Sequence, residues 1–292
     1  MPAAPGVQVS HHDVALPDGT RLHVAEAGAG PPIVLLHGWP QHWWAWRRTL
    51  GALAQDHRVL CPDLRGLGWS DAPPGDYAKE AWASDVLALL DVLDLDRVAL
   101  AGHDWGGLVA LMAALRAPER VSGVAALSIV HLWPRAPRRS PAALAPLAYQ
   151  LPLAAPVTGE RLLRHVPAFV RMLIRRGSHP AARWTDEELD VYAQRLREPA
   201  RARAGSALYR TFLLREARPL VAGRYAGRRL RVPVLMLTGE DDPVVGPHAL
   251  RGLDAHADHA RVEVIPRAGH FLPEEQPEAV LRALRPHLRA AP

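Results

Sequence analysis

Apolar positions along this chain come in short uninterrupted runs, separated by longer stretches in which they recur every three or four residues. The runs at 33–36, 58–61, 98–101 and 124–129 predict strands buried on both faces, and the helical spacing at 44–54, 79–93 and 107–116 predicts crossover helices between them. Such alternation builds a parallel sheet covered on both sides. Ahead of it, 7–16 and 20–27 read as two antiparallel strands joined by a turn at Pro17-Asp18-Gly19. The alternation then stops. From about 131 to 223 the chain is rich in Pro, Arg and Ala, and helical spacing recurs at 161–174, 185–196 and 207–216 with no strand between. Thr185-Asp186-Glu187-Glu188 offers a capping hydroxyl followed by first-turn acids. Strand 232–238, a helix from about 247, strand 261–265 and a helix at 278–288 resume the first pattern. The expectation is an α/β fold of about eight mostly parallel strands flanked by helices. Its core would comprise 1–130 and 224–292, with a helical insertion at 131–223 over the carboxyl ends of the strands, where ligands bind in open α/β sheets.

Composition narrows the class. With 292 residues, 49% of them hydrophobic, the chain can bury a large core, which argues against global disorder. No run of about 18 or more uncharged apolar residues occurs, and residues 1–20 lack an apolar segment after a basic start. Neither membrane insertion nor export is expected, and the cytoplasm is the expected location. Cys61, the single cysteine, cannot close a disulfide within the chain and lies in an apolar strand, so it reads as an inert buried thiol in a reducing compartment. A net charge of +5 raises the question of nucleic acid or an acidic membrane face. The arginines are scattered, however, and Lys79 is the only lysine. The densest basic groups, Arg135, Arg138 and Arg139 and then Arg171, Arg175 and Arg176, read as solvated faces rather than as a dock for an anion. No nucleic-acid partner is expected.

The chemistry centres on Gly102-His103-Asp104-Trp105-Gly106-Gly107, which follows a buried strand and opens a helix. Small residues on both sides of the apex let strand and helix approach closely and tolerate strained backbone angles, the geometry of a nucleophile elbow with a carboxylate at its tip. An aspartate, with a reference pKa of about 3.9, is already an anion at neutral pH and can displace a leaving group from saturated carbon. Water attacking the carboxyl carbon then cleaves the resulting ester, so a histidine is needed only for the second step. Two later strand ends carry the groups required: Gly239-Glu240-Asp241-Asp242-Pro243 and Ala268-Gly269-His270-Phe271. Taken singly, an acid in a loop reads as a turn residue and a histidine beside glycine as structural. In the order nucleophile, acid, histidine they read as a triad, with His270 as base and Asp242 preferred over Asp241 as its orienting acid. In Leu35-Leu36-His37-Gly38-Trp39-Pro40 a glycine turn can aim the Trp39 backbone N–H at the elbow, which with that of Trp105 makes an oxyanion hole.

These segments, together with His37-Gly38-Trp39-Pro40-Gln41 and Pro62-Asp63-Leu64-Arg65-Gly66-Leu67-Gly68-Trp69-Ser70-Asp71, resemble the epoxide hydrolase branch of the α/β-hydrolase superfamily over nearly the whole chain, closely in the core and more loosely in the insertion. The resemblance implies a cis peptide before Pro40 and two cap tyrosines that protonate the opening epoxide oxygen. Tyr209, in Ala207-Leu208-Tyr209-Arg210, is similar to the second; Tyr149, in Tyr149-Gln150-Leu151-Pro152, is the candidate for the first, although its spacing departs from the commoner pattern. The implied activity converts a hydrophobic epoxide to a vicinal diol without cofactor or metal. Trp39, Trp105, Trp133 and Phe271 are the candidate pocket walls. The partners implied are a small hydrophobic substrate and water, with a homodimer among the arrangements allowed.

The nearest alternative is a haloalkane dehalogenase, which shares an Asp nucleophile followed by Trp; Tyr209, and Trp39 where an Asn often stands, favour the epoxide. A non-catalytic ligand-binding homologue is the second alternative, against which the set Asp104, Asp242 and His270 argues. Serine chemistry lacks its nucleophile. Gly66-Leu67-Gly68 has no third glycine and reads as a structural loop, His11-His12-Asp13 as terminal surface, and His103, Trp43, Trp44 and Trp46 as packing.

Overall fold

The computed structural model describes residues 1–75, 77–134 and 145–289. Eight strands form one sheet: β1 (Ser10–Ala15), β2 (Arg21–Ala27), β3 (Pro32–Leu36), β4 (Arg58–Pro62), β5 (Val98–His103), β6 (Val121–Leu127), β7 (Val234–Gly239) and β8 (Ala260–Ile265). Their order is β1-β2-β4-β3-β5-β6-β7-β8. β1 and β2 pair antiparallel, β2 meets β4 antiparallel, and every other neighbour pair is parallel. The central strands are the apolar runs: every residue of β5 and β7 is buried, whereas β8 at the sheet edge is mostly exposed. Helices α1 (Arg47–Leu53), α2 (Lys79–Val92) and α3 (Trp105–Arg116) link the first half of the sheet. The expected parallel sheet with an antiparallel start is the one observed.

Between β6 and β7 the described residues hold helices and no strand: α4 (Gln150–Ala154), α5 (Pro156–His165), α6 (Pro167–Gly177), α7 (Asp186–Arg195), α8 (Pro199–Thr211) and, after a π turn at Phe212–Glu216, α9 (Ala217–Val221). Two further helices, α10 (Leu272–Glu275) and α11 (Pro277–Arg289), close the chain. The apolar rhythm at 161–174 predicts one helix, but the structure divides it. Pro167 has no N–H to continue α5 and forces its predecessor Val166 out of helical geometry, φ −124 and ψ 69, so α6 starts afresh with proline in its first turn. The helix expected from about 247 is also shorter than expected. It is a 3₁₀ turn at Pro247–Leu250, with Gly252 at φ 89 before a second turn at Leu253–His256. The capping box at Thr185 is present, its hydroxyl accepting from the Glu188 N–H while Glu188 accepts from the Thr185 N–H.

A buried polar network fastens the inserted helices to the sheet domain. The Glu274 carboxylate on α10 accepts from Arg47 on α1, from the Tyr192 hydroxyl on α7, and from Gln41 Nε2 at 3.3 Å. Arg47 also donates to Glu188 on α7 at 2.6 Å and lies over the Trp44 ring at 3.7 Å. Glu274→Ala removes one partner of a buried pair and leaves Arg47 and Tyr192 short of acceptors, so urea unfolding is expected to show a loss of about 3 kcal/mol or more. Arg195 and Arg201 donate to the Gly68 carbonyl, which gives the Gly66-Leu67-Gly68 segment the structural role expected of it. In the second basic group, Arg171 pairs with Asp190 and Arg175 with Asp186, both pairs bridging α6 to α7. Arg135, Arg138 and Arg139 lie outside the described residues.

Candidate active site

The chain turns from β5 into α3 at one residue. Asp104 adopts φ 50 and ψ −128, a backbone conformation that costs about 1–3 kcal/mol for a residue with a side chain. Neighbouring bonds hold it there: its N–H donates to Leu127 at 2.9 Å, and its carbonyl accepts from Gly107 at 2.9 Å. The turn closes only because it is built from glycine. A Cβ on Gly102 would stand 2.2 Å from the Gly106 carbonyl oxygen, and one on Gly38 would stand 2.4 Å from Asp104 Cβ.

That second approach brings the loop after β3 against the apex. The Trp39 N–H donates to Asp104 Oδ2 at 3.0 Å, and the Trp105 backbone N–H also supports the carboxylate. The peptide between Trp39 and Pro40 is cis, as the resemblance implies. His37 pins the loop, its Nε2 accepting from the Leu64 N–H at 3.0 Å while Nδ1 meets the Gly38 carbonyl at 2.9 Å. Burial pushes the Asp104 pKa up to about 6, opposed by the charge of His270 and by the two backbone donors. The group is therefore still mainly an anion at neutral pH.

His270 Nε2 lies 3.8 Å from Asp104 Oδ1. On its other side, Nδ1 lies 3.0 Å and 3.2 Å from the two oxygens of Asp242. The carboxylate against His270 belongs to Asp242 and not to its neighbour: Asp241 is about half exposed and stands 3.6 Å from His179. The backbone N–H groups of Val244 and Val245 donate to Asp242 Oδ1 at 2.8 and 2.9 Å. Burial alone would raise the Asp242 pKa, but His270 and these donors outweigh it and the pKa falls. Burial would likewise lower that of His270, yet Asp242 and then Asp104 bring it up to about 9. A carboxylate, an imidazole and a second carboxylate so placed can attack carbon, take a proton from water and stabilise the resulting imidazolium.

Aromatic side chains surround the apex. Trp39 meets Tyr209 edge-on at 5.1 Å and stacks with Tyr149 at 6.4 Å; Trp105 contacts Tyr209 at 6.2 Å and Phe212 at 4.7 Å. The hydroxyls of Tyr149 and Tyr209 are 3.4 Å apart. Burial first, and the nearby Asp104 charge as well, hold both phenols protonated, Tyr149 up to about 12 and Tyr209 well above the usual value. The third tyrosine of the insertion, Tyr192, is committed to Glu274. Phe271 packs edge-on against His270 at 5.3 Å and against Trp184 at 6.0 Å. Trp133 is the one expected wall that the structure does not bring here. Its indole stacks on His256 at 4.6 Å and its Nε1–H donates to the Tyr225 carbonyl at 2.6 Å, so its burial reflects packing on the second core segment.

Three groups reach the site without a sequence signal to announce them. The His103 Nε2–H donates to the His270 carbonyl at 2.8 Å, and burial holds the His103 pKa near 3, so this ring is neutral. The Gly177 carbonyl at the end of α6 accepts the His270 N–H at 2.7 Å. Glu275 accepts from the N–H groups on either side of His270. The first two act across long stretches of chain and Glu275 folds back on the N–H groups beside His270 while also holding His179, and residue type discloses none of these partners. Beneath Trp105, Lys79 Nζ sits 4.6 Å from the indole and 2.6 Å from Glu216 at the end of the π turn.

Comparison with known proteins places the fold and the family. The family model described as alpha/beta hydrolase fold matches residues 31–277. A soluble epoxide hydrolase of Corynebacterium sp. (strain C12) is 30% identical over 285 residues, 94% of this chain and 95% of that protein. Bifunctional epoxide hydrolase 2 of Rattus norvegicus is 31% identical over 97% of this chain, which spans only 56% of that longer protein. Among solved structures, epoxide hydrolase CorEH without ligand superposes with a TM-score of 0.84 at 28% identity, covering 97% of this chain and 99% of the other. With the matched fold, the glycine-built elbow and relatives of this identity along nearly its full length, the chain belongs to the α/β-hydrolase superfamily and to its epoxide hydrolase branch.

Proposed function

We propose that this protein hydrolyses a hydrophobic epoxide to a vicinal diol through an alkyl ester of Asp104. The observation that carries the reading is the pair of protonated phenols, Tyr149 and Tyr209, gathered with Asp104 and its His270–Asp242 partner. Residues 131–223 then serve as the cap that supplies the phenols, and Trp39, Trp105 and Phe271 as apolar walls. The buried Cys61 is compatible with a reducing cytoplasm.

In the first step an Asp104 oxygen attacks an epoxide carbon, the ring C–O bond breaks, and the departing oxygen takes a proton from a tyrosine. An alkoxide is far more basic than a phenolate, so a phenol can supply that proton. Ester formation removes the Asp104 charge. One of the causes holding a proton on His270 disappears with it, so the imidazole is more readily in the neutral form that water activation requires. Water then attacks the Asp104 carboxyl carbon and gives its proton to His270. The Trp39 and Trp105 N–H groups receive the charge that develops on the carboxyl oxygen. On collapse the departing alkoxide takes from His270 the proton that water gave it, completing the diol, and the water's second proton, lost from the Asp104 carboxyl, returns to the phenolate, so that carboxylate, phenol and neutral imidazole are restored.

A halide leaving group needs no proton, which separates this reading from dehalogenation. Styrene oxide is expected to yield diol, and a bromoalkane assayed in parallel no bromide; bromide without diol would overturn the proposal. Tyr209→Phe is expected to slow diol formation about 10- to 100-fold without lowering the melting temperature, as measured by single-turnover quench and circular dichroism.

A further inference from the structure

Glu275 is the last residue of α10 and directs both carboxylate oxygens at backbone N–H groups. Oε1 accepts from Phe271 at 2.8 Å, and Oε2 accepts from Gly269 at 2.9 Å and from His179 at 2.8 Å. Gly269 and Phe271 are the two neighbours of His270. His179 lies just beyond α6, whose final residue Gly177 accepts the N–H of His270 itself. One carboxylate therefore holds the His270 peptide on both sides and anchors it to the inserted helices. The site leaves no slack: a Cβ on Gly269 would stand 2.5 Å from both the Gly177 oxygen and the His179 nitrogen.

We propose, on the hydrolytic role given above to His270, that Glu275 is a positioning residue for ester cleavage. It fixes the imidazole against the end of α6 and stabilises the imidazolium formed when water is deprotonated. Its charge acts in the same sense as those of Asp242 and Asp104, raising the affinity of His270 for a proton; burial raises the Glu275 pKa, opposed by its three backbone donors and then by the charge on His270, which favour the ionised form. The remaining titratable ring against His270, that of His103, is neutral. Arg48, Arg183 and Glu274 line a cleft together with Glu275. An amide at this position keeps one acceptor oxygen, loses the charge and places an NH₂ group against N–H donors.

Ester formation does not use His270 as a base, so loss of Glu275 should divide the two steps. In rapid-quench single turnovers with styrene oxide, Glu275→Gln is expected to form the ester within about threefold of the wild-type rate and to cleave it about 10- to 100-fold more slowly. Intact mass would show alkylated protein. The His270 ring resonance in nuclear magnetic resonance is expected to titrate at lower pH than in wild type, because a neighbouring negative charge is gone. Glu275→Asp, which keeps the charge but withdraws the carboxylate by one methylene, should hold the titration near wild type while the cleavage rate stays low. Equal slowing of both steps, or unchanged cleavage with unchanged titration, would overturn the assignment. If wild-type protein forms no ester with the epoxide, the hydrolase reading fails separately. The His270 titration in Glu275→Gln still decides this proposal then, and an unmoved midpoint rejects it.

Discussion

Asp104→Asn is expected to eliminate the covalent ester and to lower diol formation by at least about 10⁴-fold, the scale lost when a covalent nucleophile is removed. Asparagine is the informative substitution because it tolerates the positive φ of the apex and preserves the shape that faces the Trp39 N–H. What it lacks is the anionic oxygen. Intact mass after mixing with excess epoxide reports the result directly, wild-type protein gaining the mass of one substrate molecule and the variant gaining none. In heavy-oxygen water, repeated wild-type turnovers should place label in the Asp104 carboxylate, since the cleaving water attacks that carbon. Label found only in the diol after many cycles would mean direct attack of water on the epoxide and would defeat the mechanism. The wild-type pH profile provides a further check. The Asp104 pKa is raised to about 6 by burial, and only the ionised form attacks. Ester formation should therefore be full well above that value and fall as the pH drops through it.

His270→Gln is the second large effect and the opposite phenotype. Glutamine fills similar space but cannot take a proton from water, so the first step survives and the second stops. The ester should accumulate to about one equivalent per site, with its cleavage slowed about 10²- to 10⁴-fold. The charge on His270 helps to hold Asp104 ionised against burial. Removing it should move the acid limb of ester formation to higher pH, a shift that a purely steric disturbance would not produce. Diol release at the wild-type rate from this variant would show that another group activates water.

Much of this site was legible in residue types at short range. The elbow is set by neighbours within six positions: glycines at 102, 106 and 107 around one carboxylate, between an apolar run and a helical pattern. The strands were equally plain, because residues buried on both faces must be apolar throughout, and a periodicity of that kind survives in one dimension. The insertion was legible as an interruption of the alternation. Its internal breaks were less so, since the apolar rhythm at 161–174 passes through Pro167 unchanged while the missing N–H ends the helix.

What only the tertiary structure decided lies at long range. Tyr149 and Tyr209 are 60 positions apart, and the odd spacing around Tyr149 could not say whether the two phenols meet; packing of the segment before α4 against α8 brings them to 3.4 Å. Asp241 and Asp242 are chemically identical neighbours, separated by which of them the turn after β7 points at His270 and which it leaves to solvent. Trp133 and Trp39 look alike as buried indoles until their partners are known. Composition and period report what a residue costs to expose, and so reveal sheet, helix and burial. Direction and distance between side chains far apart in the chain follow from how the packed elements meet, and that is where His270 met Asp242 and the Gly177 carbonyl, and where Glu275 met the His179 N–H.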